Sequence, residues 1–198
     1  MNRPRHFDVD ELRERVADVF IEHGYRGTSM NMLAEASGLG KQSLYNALGD
    51  KESAYLQSVD CAAHRNAALQ TVMREAEDGR SALTTFFAMA IEVSTSPDPA
   101  RSTCMLTAGL MEGVDAPAIA VKLQEKWHEL CMLLQQTVER GQQDRSIRAD
   151  VPSAVLRDVL STLLLGIRVS AKAASDRPAL ETTVRWVLKL LDEGGPLP

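Results

Sequence analysis

The chain has 198 residues, a formal net charge of −5, 44% hydrophobic residues and 25% charged residues. This ordinary composition excludes global disorder, and no apolar run approaches the ~18 residues of a membrane span. The acidic balance argues, taken over the whole chain, against a nucleic-acid partner.

The opening MNRPRHFDVDELRERV has no apolar signal-peptide core, so export is not expected and a cytoplasmic location is. Cys61, Cys104 and Cys131 are odd in number and widely spaced, with no CxxC pair. That excludes a zinc knuckle or a thioredoxin-type site and predicts free thiols in a reducing compartment.

Eight prolines stand at 4, 97, 99, 117, 152, 178, 196 and 198, and most glycines fall where helices would end. Proline breaks helix interiors and glycine closes them, so the spacing predicts an all-α chain of about nine helices. The first starts near Asp8, carries the apolar stripe Leu12, Val16, Val19 and Phe20, and ends at Gly24. A second spans Thr28 to Ser37, with Thr28 as its N-cap, and a third spans Lys41 to Leu48. A single longer helix is expected from Asp50 onward, with Leu56, Val59, Ala63 and Leu69 on its apolar side. A fifth follows Gly79, the loop from Ser94 to Arg101 precedes a sixth over Ser102–Glu112, and a seventh begins at Pro117. The eighth covers Pro152–Ala174 and the ninth Pro178–Asp192; the tail from Gly194 is expected to be loose.

The informative segment is TSMNMLAEASGLGKQSLYNALGDKE, residues 28–52. Two short helices meet at Ser37-Gly38-Leu39-Gly40, where Gly38 permits the sharp turn. Leu33, Ala34, Leu39 and Leu44 are placed to pack them together. This is the layout of a helix-turn-helix, whose second helix enters the major groove. Lys41, Gln42, Ser43 and Asn46 then face base edges: lysine donates to guanine or phosphate, and the two amides pair with adenine. Tyr45, Thr28, Ser29 and Lys51 are candidates for the phosphate backbone.

Gly24-Tyr25, Thr28-Ser29-Met30, Leu33-Ala34, Gly38, Lys41, Ser43-Leu44-Tyr45 and Lys51-Glu52 together resemble the N-terminal domain of TetR-family regulators. The match runs without gaps over about residues 8–60. The resemblance implies a three-helix DNA-binding head at residues 1–55 and a ligand-binding and dimerisation bundle at residues 56–198. It also implies a homodimer that reads a palindromic operator, most often as a repressor, and leaves it when a small-molecule effector binds. Gly40 stands where many members cap the recognition helix with Ser or Thr, Gln42 replaces a common glycine, and Ala47-Leu48 replaces a frequent aromatic pair.

The charge balance changes at local scale. Residues 1–51 hold seven basic and eight acidic side chains, yet from Arg26 to Gly49 the only acid is Glu35, against Arg26 and Lys41. Arg26 therefore joins the candidate DNA contacts, and an arm at Arg3 and Arg5 adds two positive charges.

In the bundle, Phe86, Phe87, Cys104, Met105, Met111, Trp127 and Cys131 are candidates for an adaptable apolar ligand pocket, although such stripes are commonly plain core. The eighth helix is apolar on more than one side, which predicts two packing partners. Leu156, Leu160, Leu163, Leu164 and Ile167, with Val184, Val187, Leu188 and Leu191 of the ninth helix, are the candidate dimer interface. Glu125 and His128 form a single Glu-x-x-His pair where a di-iron bundle needs two, so no metal or other cofactor is expected. No nucleophile–base pair or phosphate loop stands at a recognisable spacing, so an enzyme is not expected. The competing reading is an all-helical small-molecule-binding or oligomerisation module without DNA binding.

Overall fold

The computed structural model describes residues 9–65, 67–98, 102–173 and 176–192. Among these, ten α-helices and no strand are present. They are α1 (Val9–Gly27), α2 (Met30–Ser37), α3 (Lys41–Leu48), α4 (Lys51–Arg65) and α5 (Ala67–Glu75), then α6 (Gly79–Ser94), α7 (Met105–Glu112), α8 (Pro117–Gln143), α9 (Ser153–Lys172) and α10 (Arg177–Lys189).

The helix expected from Asp50 past Leu69 is described as α4 up to Arg65 and α5 from Ala67, and residue 66 between them lies outside the described residues. Asp8, the Arg3–Arg5 arm, the side chain of Leu69 and the Gly194 tail lie outside the described residues. Gly24 ends the regular part of α1 as expected: it takes φ 72° and ψ 177° inside the helix span. The N-cap of α2 is Ser29 and not Thr28, and α7 begins at Met105 rather than Ser102.

The chain divides into two compact units, Met1–Arg65 with Cys104–Gln124, and Asn66–Thr103 with Glu125–Pro198. The boundary expected between residues 55 and 56 falls inside α4, where Tyr55 is buried in the core of the first unit.

That core joins Leu12, Val16 and Phe20 of α1 to Leu33, Leu44, Leu48, Ala54, Tyr55 and Val59, and to Met105, Ile119 and Leu123. Tyr55 stands edge-on to Phe20 at 5.0 Å and to Tyr25 at 5.2 Å, a favoured aromatic geometry. Burial raises the Tyr55 phenol well above its ordinary value, with Glu112 adding to the shift. Gly109 of α7 is packed so closely that a Cβ there would lie 2.6 Å from the Tyr55 hydroxyl oxygen.

The second unit packs Leu83, Phe86, Phe87 and Ile91 of α6 against Leu134 and Val138 of α8, and against the inner sides of α9 and α10. Helix starts are well specified here. The Asp78 carboxylate accepts from Ser81 N–H at 2.6 Å to cap α6, and Asp176 accepts from Ala179 N–H at 2.8 Å to cap α10. The Arg140 guanidinium ties α8 to the chain before α6, donating to the carbonyls of Met73, Arg74 and Asp78, each at 3.0 Å.

The proposed interface residues split by face. Leu156, Leu160, Leu164, Ile167, Val184, Leu188 and Leu191 are buried in the core of their own bundle, and Leu163 packs against it. The first seven face their own bundle, while Leu163 and Val187 are half-buried. The second apolar side of α9 is a different stripe: Val155, Val159, Thr162, Gly166 and Val169 are all exposed. Trp186 of α10 is 62% exposed.

Candidate nucleic-acid interface

The turn between α2 and α3 is built by Gly38, which takes φ 70° and ψ 14° and donates its N–H to Glu35 O at 3.2 Å. A side chain pays a steric penalty in this left-handed conformation, so glycine is the residue that turns the chain here. Leu33, Leu44 and Leu48 are buried beneath the two helices. The opposite side of α3 is thereby turned outward. Lys41, Gln42, Ser43, Tyr45 and Asn46 are all exposed, with Tyr45 at 46%. Gly40, at the start of α3, supplies no side-chain cap.

Gln42 and Asn46 are one turn apart and engage each other: the Gln42 Nε2 donates to Asn46 Oδ1 at 3.2 Å. This leaves the Gln42 carbonyl oxygen and the Asn46 amide hydrogens outward, a paired donor–acceptor set of the kind adenine accepts.

The phosphate candidates separate by hydrogen-bond accounting. Thr28 is buried and its hydroxyl donates to Gly24 O at 2.7 Å, so that donor is spent inside the fold. Ser29 is exposed, and its oxygen accepts from Met32 N–H at 3.3 Å, which leaves its own hydrogen to give. Arg26 donates from Nη2 to Gly113 O at 2.9 Å, and the Tyr25 and Arg26 N–H groups donate to the Glu112 carboxylate at 2.8 and 2.6 Å. Arg26 thus works as a structural tie within the first unit. Lys51 Nζ lies 4.4 Å from the Tyr25 ring centre. The Tyr25 phenol is raised by burial and by the Glu52 and Asp50 charges. Asp50 itself is held below its ordinary value by hydrogen bonds from the Ser53 N–H and hydroxyl.

The pocket candidates are not brought together in one unit. Phe86 and Phe87 are core of the second unit, edge-on at 5.1 Å, and Trp127 and Cys131 lie half-buried on α8. Cys104, Met105 and Met111 belong to the first unit, where Met105 is core and Met111 is 65% exposed. Burial raises the Cys131 thiol, with Ser161 and Arg157 beside it opposing the shift. Sequence reasoning missed Glu112, which clamps the chain between α1 and α2 from 86 or more residues away. A contact that distant leaves no local signal.

An outward polar face on the second helix of a helix-turn-helix is the arrangement that DNA-binding transcriptional regulators present to the major groove. Residues 15–54 match the family model of bacterial regulatory proteins, tetR family. The HTH-type transcriptional regulator YezE of Bacillus subtilis is 24% identical over 97% of this chain and all of its own length. The HTH-type transcriptional repressor ComR of Escherichia coli is 25% identical over 96% of this chain and 92% of its own. A cysteine-substituted form of the TetR-family regulator CifR, solved with 26-bp operator DNA, is similar at 27% identity and a TM-score of 0.85, covering 98% of this chain and 100% of that one. Residues 15–54 thus carry the DNA-binding segment of tetR-family regulatory proteins, and the chain resembles TetR-family transcriptional regulators along nearly its whole length. No helix among the described residues is long and apolar enough to cross a membrane.

Proposed function

We propose that the chain is a cytoplasmic repressor that holds a palindromic operator as a homodimer and releases it when a small molecule binds the helical bundle. The observation that carries the DNA half is the exposed row Lys41, Gln42, Ser43, Tyr45 and Asn46 over a buried Leu44 and Leu48. Lys41, Gln42, Ser43 and Asn46 read bases; Ser29, Tyr45 and Lys51 hold phosphates. The repressor role is supported by the name of the relative ComR, and the duplex partner by the operator complex of CifR.

The homodimer reading is supported by the outer stripe of α9. Val155, Val159, Thr162, Gly166 and Val169 follow an i, i+4, i+7, i+11, i+14 spacing, and a Cβ at Gly166 would meet nothing within 4 Å. Such a seam suits close, isologous helix packing, with Trp186 as the large anchor beside it.

Release follows if the effector binds a DNA-incompetent state of the bundle more tightly than the competent one, which shifts the population. Footprinting on the DNA upstream of the protein's own gene tests operator binding; protection of two symmetric half-sites is the expected result. A compound screen against the bound complex tests release. Light scattering tests the assembly: the wild type should run at twice the monomer mass, and Val159→Asp should run as a folded monomer.

A further inference from the structure

Among the described residues of the second unit, Arg168 is the arginine with two buried nitrogens left without an acceptor. Arg80 pairs with Asp192 at 3.1 Å, Arg140 donates to three carbonyls, Arg148 grips Asp150 through two bonds of 2.6 Å, and Arg157 reaches Asp158 and Gln135. Arg168 differs. Its Nε and Nη1 are sealed from solvent and neither has a hydrogen-bond partner. Arg168 as a whole is half-buried, yet a guanidinium cannot shed its proton, and N–H donors buried without acceptors are disfavoured.

Helical spacing fixes where this group stands. Arg157, Ser161 and Arg168 are separated by four and seven residues, so they share one side of α9. That side faces α8, because Ser153 Oγ meets Glu139 at 3.1 Å, Arg157 meets Gln135 at 2.8 Å, and Ser161 adjoins Cys131. As the α9 number rises, the α8 number falls, so the two helices run antiparallel. The next turn of this register sets Trp127 level with Leu164 and Leu165, one turn before Arg168. The exposed Val155–Val169 stripe lies on another side of α9, so Arg168 is not part of the proposed dimer seam.

We infer that Arg168 is the anchor for an anionic effector: a small molecule with a carboxylate head and an apolar body, held between α8 and α9 with Trp127, Leu164 and Leu165 along its length. A carboxylate oxygen is the charge-assisted acceptor that such an unmet guanidinium N–H lacks. The inference rests on the effector-release reading above and names the chemical class of that effector.

The test uses the full-length protein with octanoate and benzoate, each set against its primary amide, by calorimetric titration and thermal unfolding. The acids should bind at least tenfold more tightly than the amides. Arg168→Met should erase that preference, and Arg168→Lys should keep part of it. Without ligand, Arg168→Met should melt at the same temperature as the wild type or higher, because it removes N–H donors buried without acceptors. Equal binding of acid and amide, or acid binding unchanged in Arg168→Met, would overturn the inference. So would a lower melting temperature for both Arg168→Met and Arg168→Gln, since the guanidinium would then be paired within the fold. Operator release by neutral compounds, with no preference for acids, removes the anion assignment and leaves the effector reading intact. A DNA complex insensitive to every compound in the screen ends both.

Discussion

Among the residues of the interface, Gln42 and Lys51 do different work and their substitutions should separate it. Gln42→Ala removes one amide from the proposed base-reading pair and strips Asn46 of its partner. A bidentate base contact is worth about 1–3 kcal/mol of discrimination, so preference for the cognate operator should fall about tenfold or more in competition binding. Lys51→Ala removes the proposed phosphate contact and the cation held over Tyr25. It should weaken cognate and random duplexes alike, and lower the salt slope by about one for each subunit. At this scale the sequence was readable wherever a residue's role is local. Gly38 announces its turn by being the residue that tolerates it. Thr28 and Ser29 were not separable, because both are good caps and only burial shows which hydroxyl the fold consumes. Arg26 looked like a phosphate contact because its partners, Glu112 and Gly113, are far away in the chain.

Helix positions were legible from periodicity and caps, and helix faces were less so. The inner and outer sides of α9 are both apolar, and the period alone does not say which one meets α6 and α10. The structure assigns Leu156, Leu160, Leu164 and Ile167 to the core, which turns Val155, Val159 and Val169 outward. The closest approach between elements is a glycine matter. A Cβ on Gly79 would lie 2.5 Å from Gly141 N and 2.8 Å from Thr137 O, so the start of α6 sits directly on the backbone of α8. Backbone cannot move aside as a flexible side chain does. Gly79→Ala should therefore destabilise the protein by about 1–3 kcal/mol, measured by urea unfolding, despite adding only one methyl group.

For the whole molecule, the net charge of −5 describes solubility more than function. Some of its carboxylates also bear on stability. Hydrogen bonding to Arg148 and the guanidinium charge hold Asp150 below its ordinary value. Asp144, despite some desolvation, is lowered by bonds from Ser146 and Gly79. A lowered carboxylate contributes stability above its unfolded pKa of about 3.9, and that contribution is lost as the pH falls through the folded value. Thermal melts should therefore show a steeper loss of stability below about pH 4 in the wild type than in Asp150→Asn. The two compact units each have their own core, so a two-step melt is a natural outcome of the same experiment. The hydrogen bond from Gln42 to Asn46 also bears on how this regulator acquires new targets. Because each amide orients the other, a mutation at one site alters what the second recognises, and the two positions form a single inherited trait. Drift toward a different promoter then proceeds through coordinated double changes, and intermediates carrying one change alone are selected against whenever the old target still matters.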